Sequence, residues 1–492
     1  MVAIHFLRLP ENSKLSLRNQ ICEMLSDAIS KNNIAQNEPL PSCRALSKQL
    51  GVSRNTVFAA YVRLIDSGLI LSRNRSGYFV NPEIVKHVQQ SGGSNAKVHA
   101  PLKLDLTIEG SDIMPSELRK VEHPDDWSTY PYPFIYNQMD PRLFPLQEWR
   151  ECMRLALNSK GLADWSGDSG GADSANLVKQ VQQRLLTYRG LDAGEGEILI
   201  TSGAQNAIFC LATLFGRKNR AVALEDPCYP EARNAFTLAG CKIVNVPVDE
   251  FGMRIDEMPD DCGLVYTTPS HQFPTTVTMS EGRRIQLSQM AAEKGFVICE
   301  DDYEAEMNFV TERALPIRSL DRTGNVVYIG SLSKSLAPGL RLGYMVAHPD
   351  IVREAKAVRR AMMRHPPTLL QEAMALFLGL GYQDVHLRRL HRRYKVRWEE
   401  MRRALQAHLP DLHIQASQGG TCFWIVGPTA LDVNLLAEQL KKKGVLIDVG
   451  SVFFSDPAKG TGMFRLGFAA IPKKAIAPGV QIISEEIAQI LS

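Results

Sequence analysis

No apolar run in the 492 residues reaches the roughly 18 that a membrane-spanning helix needs, so no membrane partner is expected. The opening residues, Met1-Val2-Ala3-Ile4-His5-Phe6, lack a charged stretch followed by an apolar one, so no secretory signal is expected either. The nine cysteines stand far apart, at 22, 43, 152, 210, 228, 241, 262, 299 and 422, and no Cys-x-x-Cys pair occurs. That spacing offers neither a zinc site nor a disulfide framework. No metal is expected, and a reducing cytoplasm is the expected compartment. No fixed-period repeat is present, which argues against a solenoid. What is there is the composition of an ordinary globular protein, 45% hydrophobic and 22% charged. At about 100–200 residues per domain, the length implies two to four domains with a sizeable core.

The net charge of +3 conceals an imbalance. Residues 1–80 hold ten Lys/Arg against five Asp/Glu, and the remainder holds 46 against 48. A basic module attached to a near-neutral body suits a polyanion partner. Leu17, Ile21, Leu25, Ala28 and Ile29 recur at helical spacing over residues 14–30. Ser42 can cap a second helix to Leu50 and Ser53 a third to about Ser67, each hydroxyl satisfying an orphan N–H of the first turn. Ala45, Leu46, Leu50, Val52 and Val57 are placed to pack those helices together. Leu69–Leu71 and Tyr78–Val80 read as strands around the polar turn Arg73-Asn74-Arg75-Ser76-Gly77. Residues 81–103 have linker composition. Beyond them strand-like runs alternate with helical ones: 197–201, 221–225, 242–246, 262–267, 296–299 and 325–329. The alternation indicates an α/β domain over 104–492 with a mainly parallel sheet.

The stretch Leu40-Pro41-Ser42-Cys43-Arg44-Ala45-Leu46-Ser47-Lys48-Gln49-Leu50-Gly51-Val52-Ser53-Arg54-Asn55-Thr56-Val57 resembles the helix-turn-helix of the GntR family of regulators. With its wing, the resemblance covers residues 14–80. A helix beginning Ser53-Arg54-Asn55-Thr56 offers a positive dipole end, a hydroxyl, a guanidinium and an amide, groups suited to phosphates and base edges in a major groove. The resemblance implies contacts to a double-stranded DNA operator by Arg44, Ser53, Arg54, Asn55, Thr56 and Gly77. Arg73 and Arg75 on the wing are placed to reach phosphates.

A second resemblance rests on Ser331-Leu332-Ser333-Lys334-Ser335-Leu336-Ala337-Pro338-Gly339-Leu340-Arg341-Leu342-Gly343-Tyr344 together with Glu300-Asp301-Asp302-Tyr303 after an apolar strand. A carboxylate at a strand's C-terminal end sits where open α/β sheets bind ligands. Together these resemble the fold-type I aminotransferases over about residues 130–490. The resemblance implies pyridoxal 5′-phosphate (PLP) held as a Schiff base on Lys334, with Asp301 favouring a proton on the pyridine nitrogen. Tyr303 is implied at the ring oxygen, and Tyr229 stacked on the ring. Ser331, Ser333, Arg341 and the helix-opening Ser202-Gly203-Ala204-Gln205 are implied around the phosphate. Arg465, in Phe464-Arg465-Leu466-Gly467-Phe468, matches the residue that clamps a substrate carboxylate, and its fork suits a carboxylate or sulfonate. The residues alone leave a structural ion pair open for it.

The domain order, a GntR-type winged helix-turn-helix at 1–80, a linker at 81–103 and an aminotransferase-like domain at 104–492, resembles the MocR/GabR regulators. That resemblance implies a head-to-tail homodimer. It also implies a sensor in which an amine or amino-acid effector displaces Lys334 by external aldimine formation and so alters operator binding. A working aminotransferase with a regulatory DNA-binding arm, or a sensor of PLP itself, stays open. Three positions depart from the pattern. Phe273 stands where aminotransferases carry an asparagine, which removes a hydrogen bond to the ring oxygen and favours sensing over turnover. Thr276 replaces a glycine, so an altered turn backbone is expected. Glu231 stands where the branch that senses γ-aminobutyrate has an arginine, which argues against a γ-aminobutyrate effector and leaves room for a ligand with its own positive group. The Arg-rich run 386–403 reads as a solvated helix face or a second DNA-contacting surface. Trp127–Tyr136 reads as core or dimer contact.

Overall fold

The computed structural model describes residues 9, 15–31, 33–34, 38–73, 76–83, 107–108, 113–168, 170–216, 220–304, 306–308, 314–332, 334–415 and 419–492. Arg75, Ser333 and residues 84–103 of the expected linker lie outside them. The chain divides into two units, Met1–Asp105 and Leu106–Ser492.

The first unit carries three helices and a hairpin among its described residues: α1 (Leu17–Ser30), α2 (Cys43–Leu50), α3 (Arg54–Asp66), β1 (Ile70–Arg73) and β2 (Gly77–Val80). Ser42 Oγ accepts the Ala45 N–H at 3.2 Å and Ser53 Oγ the Thr56 N–H at 3.1 Å, so both expected caps start their helices. Gly51 ends α2 in the left-handed region (φ 66°), which glycine adopts without Cβ strain. Ile21, Leu25, Ala28, Ile29, Leu46, Val57, Ala60, Tyr61 and Leu64 form the core, and the buried Tyr61 hydroxyl donates to Pro41 O at 2.7 Å. Leu50 and Val52 pack against that core. Leu17 and Ala45 do not join it. Leu17 opens α1 and is exposed, and Ala45 points outward on the turn that Ser42 caps.

In the second unit, eight strands among the described residues form one sheet. Their spatial order is Ile198–Thr201, Gly343–Val346, Val326–Ser331, Val297–Asp302, Cys262–Thr267, Ala221–Asp226, Ile243–Asp249 and Gly252–Met253. The five from Val326–Ser331 to Ile243–Asp249 are mutually parallel, and Gly343–Val346 runs against both neighbours. The central strands are buried on both faces, so they read as apolar runs whose alternate residues go opposite ways. Leu264, Tyr266, Val327 and Ile329 meet the helix Ala204–Phe215 in one core, while Val265 and Ile298 meet Leu287 and Ala291 of the helix Glu281–Lys294 in another. A second sheet, ordered His413–Ile414, Cys422–Val426, Met463–Gly467 and Asp448–Val449, packs with the helices Tyr382–His408, Val433–Lys442 and Lys473–Leu491.

Thr276 stands in the left-handed region that favours glycine: its φ is 67°. It is buried, its N–H donates to Gln272 O at 2.7 Å, and its Oγ1 has no hydrogen-bond partner. The turn's contacts thus hold a β-branched residue in a disfavoured region. Thr276→Gly is expected to stabilise the fold by about 1 kcal/mol, the relieved strain outweighing glycine's entropy. A rise in the thermal midpoint would show it.

Candidate functional site

The parallel strands end on one edge, and their C-terminal residues and following loops enclose a cavity. Gly203, Ala204, Gln205, Tyr229, Asp301, Tyr303, Ser331, Lys334 and Arg341 all line it. Ser202 borders the same loop, its N–H donating to Asn206 Oδ1 at 3.2 Å and its hydroxyl to Arg341 O at 3.4 Å. Tyr136, Asn137, Tyr266, Thr268, Phe273 and Pro338 complete the wall. Sequence reasoning missed Tyr136, Asn137, Tyr266 and Thr268. Tyr136 belongs to the segment expected as core or dimer contact; Pro133, Phe134 and Ile135 are buried, and Tyr136 lines the cavity. The missing signal is distance along the chain, because nothing local ties residue 136 to residue 334.

Strand alternation isolates Asp301. Its neighbours Glu300 and Asp302 point to the opposite face. Glu300 accepts the N–H groups of Ile317 (2.8 Å) and Arg318 (2.9 Å), and Asp302 pairs with Arg189 and the Tyr328 hydroxyl. Asp301 Oδ2 accepts the Tyr266 hydroxyl at 2.8 Å, while its buried Oδ1 has no partner. Burial pushes the carboxyl up to about 7, against the pull of Tyr266 and Lys334. A buried carboxylate oxygen without a donor is costly, and a ring N–H entering the cavity would satisfy it.

Lys334 is half-buried, and its Nζ donates to Asn137 Oδ1 at 3.2 Å and lies 3.9 Å above the Tyr136 ring and 5.5 Å above that of Tyr303. Desolvation pulls its ammonium down to about 8, with Glu304 opposing and Arg465 assisting. The following residue, Ser335, fixes the loop: Gln383 Nε2 donates to its hydroxyl at 3.0 Å and His386 Nε2 bonds its carbonyl at 2.7 Å. Gly203 (φ 77°) opens the helix Ala204–Phe215, and a Cβ there would stand 3.3 Å from the Arg341 guanidinium. Arg341 and the start of this helix thus converge on one corner, a donor set fit for a phosphate.

A second chamber shares Tyr136, Asn137, Lys334 and Pro338 with the first, and its wall includes Glu304, Thr421, Tyr394 and Arg465. Arg465 is buried, pairs with Asp448 at 3.3 Å, and lies 4.7 Å over Tyr136 and 5.0 Å over Phe273. Phe273 is itself buried among Tyr136, Tyr229, Tyr303 and Phe453. Glu231 sits in the first turn of the helix Pro230–Leu238, with Asn234 Nδ2 donating to it at 3.4 Å.

In the first unit Arg44, Arg54, Asn55 and Gly77 border one concave groove with Ser76, Tyr78 and the exposed Phe58. Ser53 and Thr56 lie on the adjoining first turn, their hydroxyls 2.8 Å apart. Arg73 covers the Phe79 ring at 4.6 Å. In the second unit, Arg388, Arg389, Arg392, Arg393, Arg402 and Arg403 of the Arg-rich run are exposed, but Arg397 is buried against Asp140 at 2.6 Å. That position belongs to the core and leaves both sequence expectations for the run.

Residues 17–80 match the bacterial regulatory proteins of the gntR family, and residues 140–483 match aminotransferase class I and II. The chain is 37% identical over 476 residues to the HTH-type transcriptional regulator TauR of Rhodobacter capsulatus, covering 96% of each. The chain belongs to the MocR type of GntR-family regulators. It is 29% identical to the probable rhizopine catabolism regulatory protein MocR of Rhizobium meliloti, over 96% of this chain and 94% of that one. The second unit resembles a kynurenine aminotransferase from Pyrococcus horikoshii (26% identity, TM-score 0.70, 74% of this chain and 93% of that chain). It also resembles LysN from Thermus thermophilus, solved with N-(5′-phosphopyridoxyl)-L-leucine (28%, 0.69, 77% and 97%). The protein is thus a transcriptional regulator with an aminotransferase-like domain.

Three outcomes follow from this regulator's geometry if the cavity takes PLP. The unloaded protein should capture PLP faster as pH rises, because only the neutral Lys334 amine reacts. The rate should level off above about 8, well below the roughly 10.4 of a free lysine, in stopped-flow absorbance. Asp301→Asn should weaken PLP binding by about 10–100-fold, measured by titration. At pH 8 the same change should raise the thermal midpoint of the unloaded protein. A buried acid with a raised pKa destabilises the fold once pH exceeds its unfolded value, and the amide escapes that cost.

Proposed function

We propose that this regulator holds PLP on Lys334, reads an amine or amino acid there, and changes its affinity for a DNA operator in response. The observation that carries the reading is Asp301, which lines the cavity that Lys334 enters and has a buried Oδ1 without a partner. The phosphopyridoxyl–leucine adduct bound by LysN supports it. When bound, PLP supplies an aldehyde for amines and a ring that withdraws electrons. The residues supply the rest. Asp301 holds a proton at the ring nitrogen, and Tyr229 packs on the ring. Tyr303 donates to the ring oxygen. Arg341, Ser331, Ser333 and the helix start at Ser202–Gln205 take the phosphate. Arg465 takes a carboxylate or sulfonate. Phe273 brings no donor to the ring oxygen, so the electron sink is weaker than with asparagine.

On the DNA side, the groove of Arg44, Arg54, Asn55 and Gly77 supports major-groove reading by the start of α3, with phosphates taken by Ser53 and Thr56. A head-to-tail homodimer in the cytoplasm is the assembly that the family resemblance supports. The effector must bind one conformation better than another for any signal to pass.

A working aminotransferase is the second reading, favoured by the retention of Lys334, Asp301 and Arg465 in one place. The test loads the full chain with PLP and screens taurine, γ-aminobutyrate, amino acids and diamino acids. Cofactor absorbance, keto-product release and anisotropy on a duplex selected from random DNA are read together. We expect a spectral change with altered DNA affinity and negligible product. Lys334→Ala should abolish the response and keep DNA binding. Sustained keto-product formation would establish the aminotransferase reading instead. Arg54→Ala should weaken every duplex and lower the salt-dependence slope by about 1 if it contacts a phosphate.

A further inference from the structure

Arg465 has an unequal partner. On the antiparallel strands Met463–Gly467 and Asp448–Val449, Arg465 and Asp448 stand directly opposite, so both side chains share one face. Asp448 is buried, and its two oxygens have different clients. Oδ2 accepts from Arg465 Nη1 at 3.3 Å, and Oδ1 accepts from His123 Nε2 at 2.7 Å. Because an ionised carboxylate only accepts, the imidazole must be the donor. The shorter bond belongs to the histidine. Arg465 Nε is turned to Cys422 Sγ at 3.1 Å, and the guanidinium faces the chamber that Lys334 borders.

His123 comes from far away in sequence and is held for the purpose. Its segment is fastened by Arg119, which donates to Phe454 O at 2.7 Å and Ser455 O at 2.8 Å. The same segment borders a cleft closed by Asp448 and by Glu438 and Lys441 of the helix Val433–Lys442.

We propose that His123 is a positioning residue that sets how strongly Arg465 attracts the acidic end of an effector. The inference rests on the reading above, in which Arg465 takes a carboxylate or sulfonate. By engaging Oδ1, His123 draws the Asp448 charge away from the guanidinium and prevents a two-oxygen grip on it. Without that donor, the whole carboxylate falls on Arg465 and competes with the ligand's anion. Without the Asp448 charge, the ligand's anion has Arg465 to itself. Losing either partner of the His123–Asp448 bond therefore moves anion preference in opposite directions. A merely structural role would lower both together.

The test uses the full chain loaded with PLP, with dissociation constants from cofactor absorbance and calorimetry. Taurine is paired with n-propylamine and γ-aminobutyrate with n-butylamine, and the ratio within each pair reads anion preference. His123→Leu should lower that ratio about tenfold. His123→Gln, which restores an N–H donor, should return it near the wild-type value. Asp448→Asn should raise it. Falls of equal size in His123→Leu and His123→Gln, or parallel falls in His123→Leu and Asp448→Asn, overturn the proposal. If Asp448→Asn does not fold, the Leu–Gln comparison decides alone. A wild-type protein that binds the amines but ignores their acidic groups refutes the reading of Arg465, and this inference with it. A wild-type preference unchanged in every variant refutes only the role of His123.

Discussion

One carboxylate oxygen without a donor organises the ligand end of this protein. Asp301 stands at the exit of a central parallel strand, with Tyr266 on one oxygen and nothing on the other. Folding alone gains nothing from that arrangement, since an unsatisfied buried acceptor opposes stability. The surroundings hold it anyway. Glu300 is bonded on the far face by Ile317 and Arg318, and Asp302 Oδ2 by Arg189 and Tyr328. Those bonds fix the strand's orientation and leave Asp301 no freedom to turn away. The cost is concentrated where a ligand can remove it, which is how binding sites commonly differ from cores.

The rest of the cavity follows from the same geometry. Parallel strands deliver their C-terminal ends to one edge, so Gly203, Tyr229, Thr268, Asp301 and Ser331 converge although they span much of the chain. Lys334 then enters the cavity, where desolvation favours the neutral amine. Cavity and second chamber meet at the lysine, which places the reactive nitrogen between a polar cradle and Arg465.

Much of this was legible in the sequence because it is local. The strand at 262–267 ends where its apolar run ends, and Ser42 and Ser53 cap the helices they precede. Lys334, Asp301, Tyr229 and Arg341 could be named because each sits in a contiguous motif. What escaped is long-range. Tyr136, Asn137 and Tyr266 carry no motif, and Arg397 reads as one more surface arginine until Asp140 is packed beside it. Leu17 and Ala45 fit the periodicity yet stay exposed, because a helix's first turns can precede its packing face. Thr276 shows the opposite limit. A β-branched residue disfavours positive φ, and the surrounding fold holds Thr276 there all the same.

The helix Tyr382–His408 has 27 residues and so spans about 40 Å. Near its start, Gln383 and His386 grip Ser335 beside the lysine. Further along, Arg397 is locked to Asp140, and Leu405 lies in the core around the second sheet. One continuous helix therefore touches both the loop that carries Lys334 and the core beneath the second sheet, so those two distant regions share a single structural member.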